Sequence, residues 1–331
     1  MLYFCTEALC EHIYYIDELS YLNTCDAILN ASNCVQFYNG KLYIDAKDDI
    51  AVQALYKINA DGSGKELVVE NIYIRFVEKL EELENTGTEE IGAVGGSLSW
   101  EIYQDKIYVC SSVGGEDGKL QFYVDVYDLN NGEKIDEIAA CDFSGNNGMI
   151  IDIDIVNDNL KMCMYISSID LSGDFVDSKE FYNIDLNSGE IKEIAKDATI
   201  STYAFYEDKM LYREKNGDIY VVDDIEGQAN RCIELTEAEK EYIVSINYVG
   251  EYIYITPNIK DQSFLDEYGY YTKVYDKEYK LIDTIKLPGN MRPIAGHNQV
   301  LLSVRGGEEM YYFDSAQIGT GEIDIKKYES Q

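Results

Sequence analysis

The chain has 331 residues, 46% of them hydrophobic, which is ample to bury a large core and excludes wholesale disorder. Sixty-two acids against 27 bases give a formal net charge of -35. That surface repels phosphate backbones and anionic lipid headgroups, so nucleic acid is excluded as a partner, and no stretch is apolar enough to insert into a membrane.

The N-terminus, Met1-Leu2-Tyr3-Phe4-Cys5, carries no basic segment, so no signal peptide is visible. Bulky Phe4 before Cys5 also makes a poor lipoprotein cleavage site. Leu2 to Cys5, followed by Leu9-Cys10, reads as the outer half of a β-sheet whose remainder would lie upstream. Cys5, Cys10, His12 and Cys25 crowd this stretch, with Cys34 beyond. Three thiols and an imidazole match the ligand set of a tetrahedral structural zinc site. The C-x4-C-x-H spacing is not that of a zinc finger. Disulfides pinning the loop between Cys10 and Cys34 are the preferred alternative, and free thiols are a third.

From Val35 onward the chain repeats itself. A tight turn followed by an apolar strand occurs at Asn39-Gly40-Lys41-Leu42-Tyr43, Gln104-Asp105-Lys106-Ile107-Tyr108, Asn157-Asp158-Asn159-Leu160, Glu207-Asp208-Lys209-Met210, Val249-Gly250-Glu251-Tyr252 and His297-Asn298-Gln299-Val300. Each copy is followed by a second hairpin, best formed at Tyr127-Asp128-Leu129-Asn130-Asn131-Gly132-Glu133 and Asn183-Ile184-Asp185-Leu186-Asn187-Ser188-Gly189-Glu190. Alternation of Val124 and Val126 with Asp125 and Tyr127 has the strand period of two, and a spacing of roughly 40–65 residues is near that of a four-stranded blade. The three prolines, Pro257, Pro288 and Pro293, are expected at loop positions.

These features predict an all-β β-propeller, a single domain over 1–331. Blades are expected at roughly 35–70, 97–140, 149–195, 201–236, 243–287 and 291–329, with Glu322-Ile323-Asp324-Ile325 as the last outer strand. The N-terminal fragment, 1–34, then becomes an incomplete first blade with a Cys-rich loop, giving seven. A six-bladed fold is the alternative. Phe76, Leu80 and Leu83 share a helical face in an insertion after the first repeat, and Thr236-Glu237-Ala238-Glu239 has capping-box form.

The Cys5-x4-Cys10-x-His12 block, Cys25, Phe37-Tyr38-Asn39-Gly40-Lys41-Leu42-Tyr43 and the tyrosine-led Asp-x-x-x-Gly-Glu hairpins together resemble β-propeller lipoproteins of Firmicutes, related in fold to TolB-like and YWTD-type propellers. The resemblance implies a cell-envelope or extracellular location and a binding role. It departs from that pattern in the missing leader and first half-blade.

Catalytic motifs are sparse. There are two histidines, His12 and His297, and neither a G-x-S-x-G elbow nor a P-loop. Asp152, Asp154, Asn157 and Asp158 could gather calcium, although an EF-hand's glycine and twelfth-position acid are absent; the plainer reading is a polar strand face and turn. Thirty tyrosines invite a stacking role. Most lie in repeating strands and read as packing, as does Trp100. Tyr268, Tyr270 and Tyr271 stand apart, at the end of a long connection, and are the candidate ligand-binding residues. The expected function is therefore a non-enzymatic β-propeller that binds a protein, peptide or glycan, without a cofactor. The alternative is a propeller glycoside hydrolase or lyase using carboxylates or a bound cation.

Overall fold

A computed structural model describes residues 2–3, 28–29, 35–47, 53–59, 64–86, 96–114, 120–143, 147–169, 175–197, 200–214, 217–223, 229–296, 299–304 and 310–327. Cys5, Cys10, His12 and Cys25 lie outside them.

Six four-stranded antiparallel sheets, each a simple meander, follow one another along the chain. Near the N-terminus, among the described residues, β1 (Leu2–Tyr3) pairs with β2 (Ile28–Leu29). Blade 1 consists of β3 (Val35–Tyr38), β4 (Lys41–Lys47), β5 (Gln53–Asn59) and β6 (Glu66–Val69). Helix α1 (Ile74–Thr86) precedes blade 2, which is β7 (Gly96–Tyr103), β8 (Lys106–Gly114), β9 (Leu120–Asp128) and β10 (Lys134–Phe143). Blade 3 is β11 (Asn147–Val156), β12 (Asn159–Ile169), β13 (Phe175–Asp185) and β14 (Ile191–Asp197). Blade 4 is β15 (Ile200–Tyr206), β16 (Lys209–Glu214), β17 (Ile219–Asp223) and β18 (Ala229–Ile233). After α2 (Glu237–Lys240), blade 5 runs through β19 (Ile243–Val249), β20 (Tyr252–Asn258), α3 (Gln262–Tyr268), β21 (Tyr270–Tyr275) and β22 (Leu281–Leu287). Blade 6 is β23 (Met291–Gly296), β24 (Gln299–Val304), β25 (Met310–Asp314) and β26 (Lys326–Lys327).

The fold is thus an all-β β-propeller of six blades, not seven with an incomplete first. The two residues of β1 find their partner in β2 rather than in a further four-stranded sheet. Pro257 and Pro293, expected in loops, lie within β20 and β23, Pro257 near the end of its strand and Pro293 beside a bulge. The last outer strand also differs from expectation. Lys326 and Lys327 pair with Tyr312 and Tyr311, while Ile323 and Ile325 in the preceding loop turn half-buried onto the blade 6 core. Glycines at positive φ, Gly319 and Gly321, bend the chain there and delay the strand.

Packing separates two compact units, residues 1–196 with blades 1–3 and residues 197–331 with blades 4–6. Within each, successive blades meet face to face, and strand alternation supplies both faces. In the first unit, Ile107 and Val109 of β8 join Tyr43, Leu55 and Trp100 against blade 1, while Tyr108 and Cys110 turn the other way to Ile150, Leu160 and Met162 of blade 3. In the second, Ile253 and Ile255 of β20 meet Leu211 and Ile219 of blade 4, while Tyr254 packs with Leu302 and Phe313 of blade 6.

The repeated hairpins have a shared internal logic. In the blade 2 hairpin, Asp128 Oδ1 accepts from the backbone N–H of Asn130 at 2.7 Å, and Gly132 N–H donates to the Asp128 carbonyl at 2.9 Å. Blade 3 repeats the arrangement with Asp185, Asn187 and Gly189 at 2.9 and 2.8 Å. Both glycines have positive φ and sit against the outer strand of the preceding blade. A Cβ at Gly132 would stand 1.7 Å from the Val68 carbonyl oxygen, and one at Gly189 would stand 2.3 Å from that of Ile138. Gly132→Ala is therefore expected to cost about 2 kcal/mol or more, through φ strain and a forced shift of β6. Urea denaturation of the variant checks this; a change under about 0.5 kcal/mol would contradict it.

Buried polar groups fasten the blades. Helix α1 is clipped onto β9 by Arg75, whose Nε and Nη2 donate to Asp125 at 2.8 and 2.7 Å while its guanidinium lies 4.4 Å from the centre of the Tyr123 ring. Trp100 is buried in β7 and donates its indole N–H to Asp45 at 3.0 Å, so it serves packing between blades 1 and 2.

Candidate functional site

Two places gather polar side chains in unusual settings. The first is a pocket of about 550 Å³ on the outer half of blade 5, within the usual size range of small-ligand sites. Its floor is the face shared by β21 and β22, where Tyr271 pairs with Lys286 and Lys273 with Thr284. Helix α2 forms one wall through Thr236, Ala238 and Glu239, and α3 forms the other through Phe264 and Tyr268.

Local sequence fixes both walls. Thr236 and Glu239 close the expected capping box, with Glu239 N–H donating to Thr236 Oγ1 at 3.2 Å and Thr236 N–H to Glu239 Oε2 at 2.9 Å. Arg213 of β16 is almost fully buried and donates to the carbonyls of Lys240 at 2.9 Å and Tyr242 at 2.7 Å, tying the end of α2 to blade 4. Asp261 caps α3 by accepting from Ser263 and Phe264 N–H at 2.8 and 3.1 Å. Gly269, at φ 69°, ends it with an N–H to the Leu265 carbonyl at 2.8 Å and turns the chain into β21. Phe264 and Tyr268 stand four residues apart on α3, so their rings meet with centroids 4.6 Å apart, and Tyr242 backs Phe264 edge-on at 5.3 Å. Tyr268 nonetheless remains 53% exposed at the pocket mouth.

Glu239 is the electrostatic pivot. It is fully buried and accepts from Lys273 Nζ at 2.7 Å, from the Tyr271 hydroxyl at 2.9 Å and from Thr236. Burial alone would raise its carboxyl, but Lys273, the Thr236 backbone and Tyr271 outweigh that and hold it below the usual carboxylate range. Burial, the Glu239 charge and the hydrogen bond to it push the Tyr271 hydroxyl far up, so it remains a fixed donor.

Of the three tyrosines expected to bind ligand, Tyr268 and Tyr271 line this pocket and Tyr270 does not. Strand alternation sends Tyr270 to the opposite face, where it packs half-buried against the core between blades 5 and 6. Phe264, Lys273 and Lys286 carry no local signal, and the capping-box pattern marks Glu239 only as a helix cap, because α2 and β21 are some thirty residues apart in the chain.

The second place is in the first unit. Glu101 of β7 faces blade 3, where β11 presents Asp152 and Asp154. One Glu101 oxygen, Oε2, is buried without a hydrogen-bond partner among the described residues. Burial, then the charges of Asp154 and Asp152, push the Glu101 carboxyl up to about 8, despite a hydrogen bond from the Ile155 backbone. Asp154 is raised by burial against the lowering pull of Lys161, and Asp152, although open to solvent, is pushed the same way. Asn157 and Asp158, the other residues considered for calcium, form the β11–β12 turn with both φ positive, and Asp158 accepts from Gln104 of the neighbouring turn at 3.3 Å. Among the described residues, no three or more His, Cys, Asp or Glu side chains are placed to hold a metal ion. Cys110, Cys141 and Cys232 are free thiols, and no described helix is long and apolar enough to cross a membrane.

No family model and no curated protein matches the chain. Among solved structures it is similar to regucalcin, a calcium-binding protein from Agrobacterium tumefaciens, at 13% identity and a TM-score of 0.46, over 92% of this chain and 93% of that one. It is similar to TolB from Acinetobacter baumannii at 14% identity and a TM-score of 0.43, over 87% of this chain and 63% of that one. The computationally designed Ika8 protein aligns at 13% identity with a TM-score of 0.46, over 90% of this chain and 74% of that one.

Proposed function

We propose that this chain is a non-enzymatic, ligand-binding β-propeller of the cell envelope or extracellular space, and that it holds a small organic ligand or glycan in the blade 5 pocket. One observation carries the reading. The Tyr268 ring is kept open to solvent on a helix capped at both ends, beside donors already fixed in place by Glu239. A rigid aromatic ring over oriented polar groups supplies apolar area and direction at little entropic cost. The envelope location rests on the sequence resemblance alone.

Tyr268→Ala should leave global stability within about 0.5 kcal/mol, because the ring is half open. It should weaken binding about tenfold, the worth of one good stacking contact. A glycan array and calorimetry on the intact protein check both. Equal affinity in the variant would remove the pocket from consideration.

A second reading, acid–base chemistry, is favoured by Glu101 alone. A carboxyl held protonated near neutral pH beside two other carboxyls is the pattern of a general acid and its partner. Hydrolytic activity that disappears in Glu101→Gln while Tyr268→Ala retains it would establish that reading over the first.

A further inference from the structure

We infer that the blade 5 pocket takes an acidic sugar, a pyranose ring bearing a carboxylate, stacked on Tyr268 and Phe264 with its charge on Lys286; this rests on the pocket being the binding site. The argument is one of local against global charge. The molecule as a whole is strongly acidic, which favours cations at long range, but exposed charges beyond about 8 Å are largely screened at physiological salt. Within the pocket, two lysines face one glutamate, and that glutamate is fully engaged. Lys273 is neutralised by Glu239. Lys286 has no hydrogen-bond or ion-pair partner among the described residues.

Glu239 is the one acid lining the pocket, and acids on the flanking elements have partners of their own. Glu237 pairs with Lys240 at 3.0 Å, Asp266 accepts from Gln262 at 2.9 Å, and Asp283 accepts from the Gly319 N–H at 3.0 Å. Glu267 lies against the Tyr268 hydroxyl. A cation entering the pocket would therefore meet aromatic faces but also an unpaired ammonium. An anion finds that ammonium in the pocket that the α3 rings also line. The C–H face of a pyranose suits the exposed Tyr268 ring, and the Thr284 hydroxyl, paired across the floor from Lys273, offers a polar contact beside Lys286.

Calorimetry on the intact protein tests this with a digalacturonate and the neutral digalactoside of the same linkage, at low and high salt. The acidic sugar should bind at least tenfold more tightly than the neutral one. That preference should vanish in Lys286→Met and shrink in 0.5 M salt, while Tyr268→Ala weakens both sugars. Lys286 is exposed, so the melting curve of Lys286→Met should match that of the unaltered protein and serve as the folding control. Equal binding of the two sugars, or an acidic preference that survives in Lys286→Met, overturns the anion assignment and leaves the pocket in place. Binding of neither sugar also overturns the assignment. Sugar binding that is indifferent to Tyr268→Ala brings down the pocket reading itself.

Discussion

Glu101→Gln is expected to stabilise the protein at alkaline pH, by an amount that grows as pH rises. The carboxyl titrates near 4.5 in an unfolded chain and near 8 when folded. Between those values the folded state holds a proton that the unfolded state has lost, so stability falls as pH rises through this window and levels off above about 8. Glutamine carries no such term. The difference between variant and unaltered protein should be small below pH 4.5, open steadily to pH 8 and then stay constant. At about 1.4 kcal/mol per pH unit of displacement the ceiling is about 5 kcal/mol. Solvent reaching the part-open side chain reduces the expected gain to roughly 2–3 kcal/mol. Urea denaturation of both proteins at pH 5, 7 and 9 measures it. A difference independent of pH would show that Glu101 is an ordinary surface acid.

Glu239→Ala should act in the opposite direction. It leaves the mostly buried Lys273 ammonium without its counter-charge, frees the Tyr271 hydroxyl and the Thr236 N–H, and opens the capping box of α2. Breaking a buried pair from one side costs about 3–5 kcal/mol, to which loss of the cap adds about 1 kcal/mol. The double variant Glu239→Ala/Lys273→Met should recover a large part of that loss, since the penalty lies in the orphaned charge. Because the folded Glu239 carboxyl is held below its unfolded value, its contribution is complete above about pH 4.5 and disappears as pH falls through the folded value. A loss below 1 kcal/mol, or no recovery in the double variant, would mean that Glu239 does not organise the pocket.

What could be read along the chain was whatever depends on near neighbours. The Asp-x-x-x-Gly-Glu hairpins announce themselves because their hydrogen bonds join residues at most five apart, from Asp128 to Glu133 and from Asp185 to Glu190. The tight turns were legible for a related reason, although Gln104-Asp105 and Asn157-Asp158 hold positive φ at both positions without glycine. The Thr236–Glu239 capping box needed only a four-residue pattern. Tyr268 and Tyr271 were singled out by position, yet the residues that make a pocket of them come from α2 and β22. Tyr270 lies outside that pocket because a strand's period of two assigns neighbours to opposite faces, and the face cannot be chosen before the register is known. Glu101 went unnoticed because its environment is created by β11, some fifty residues away. The seventh blade was inferred from strand-like residues at the N-terminus, but strand propensity does not say which partner a strand will find.

The direct test of the pocket on blade 5 as the binding site is a crystallographic fragment screen on the intact protein. Fragments carrying a ring and a carboxylate should collect between α3 and β21–β22, stacked on Tyr268 with their charge at Lys286. Fragments gathering instead around Glu101, Asp152 and Asp154, with none touching Tyr268 or Lys286, would contradict it.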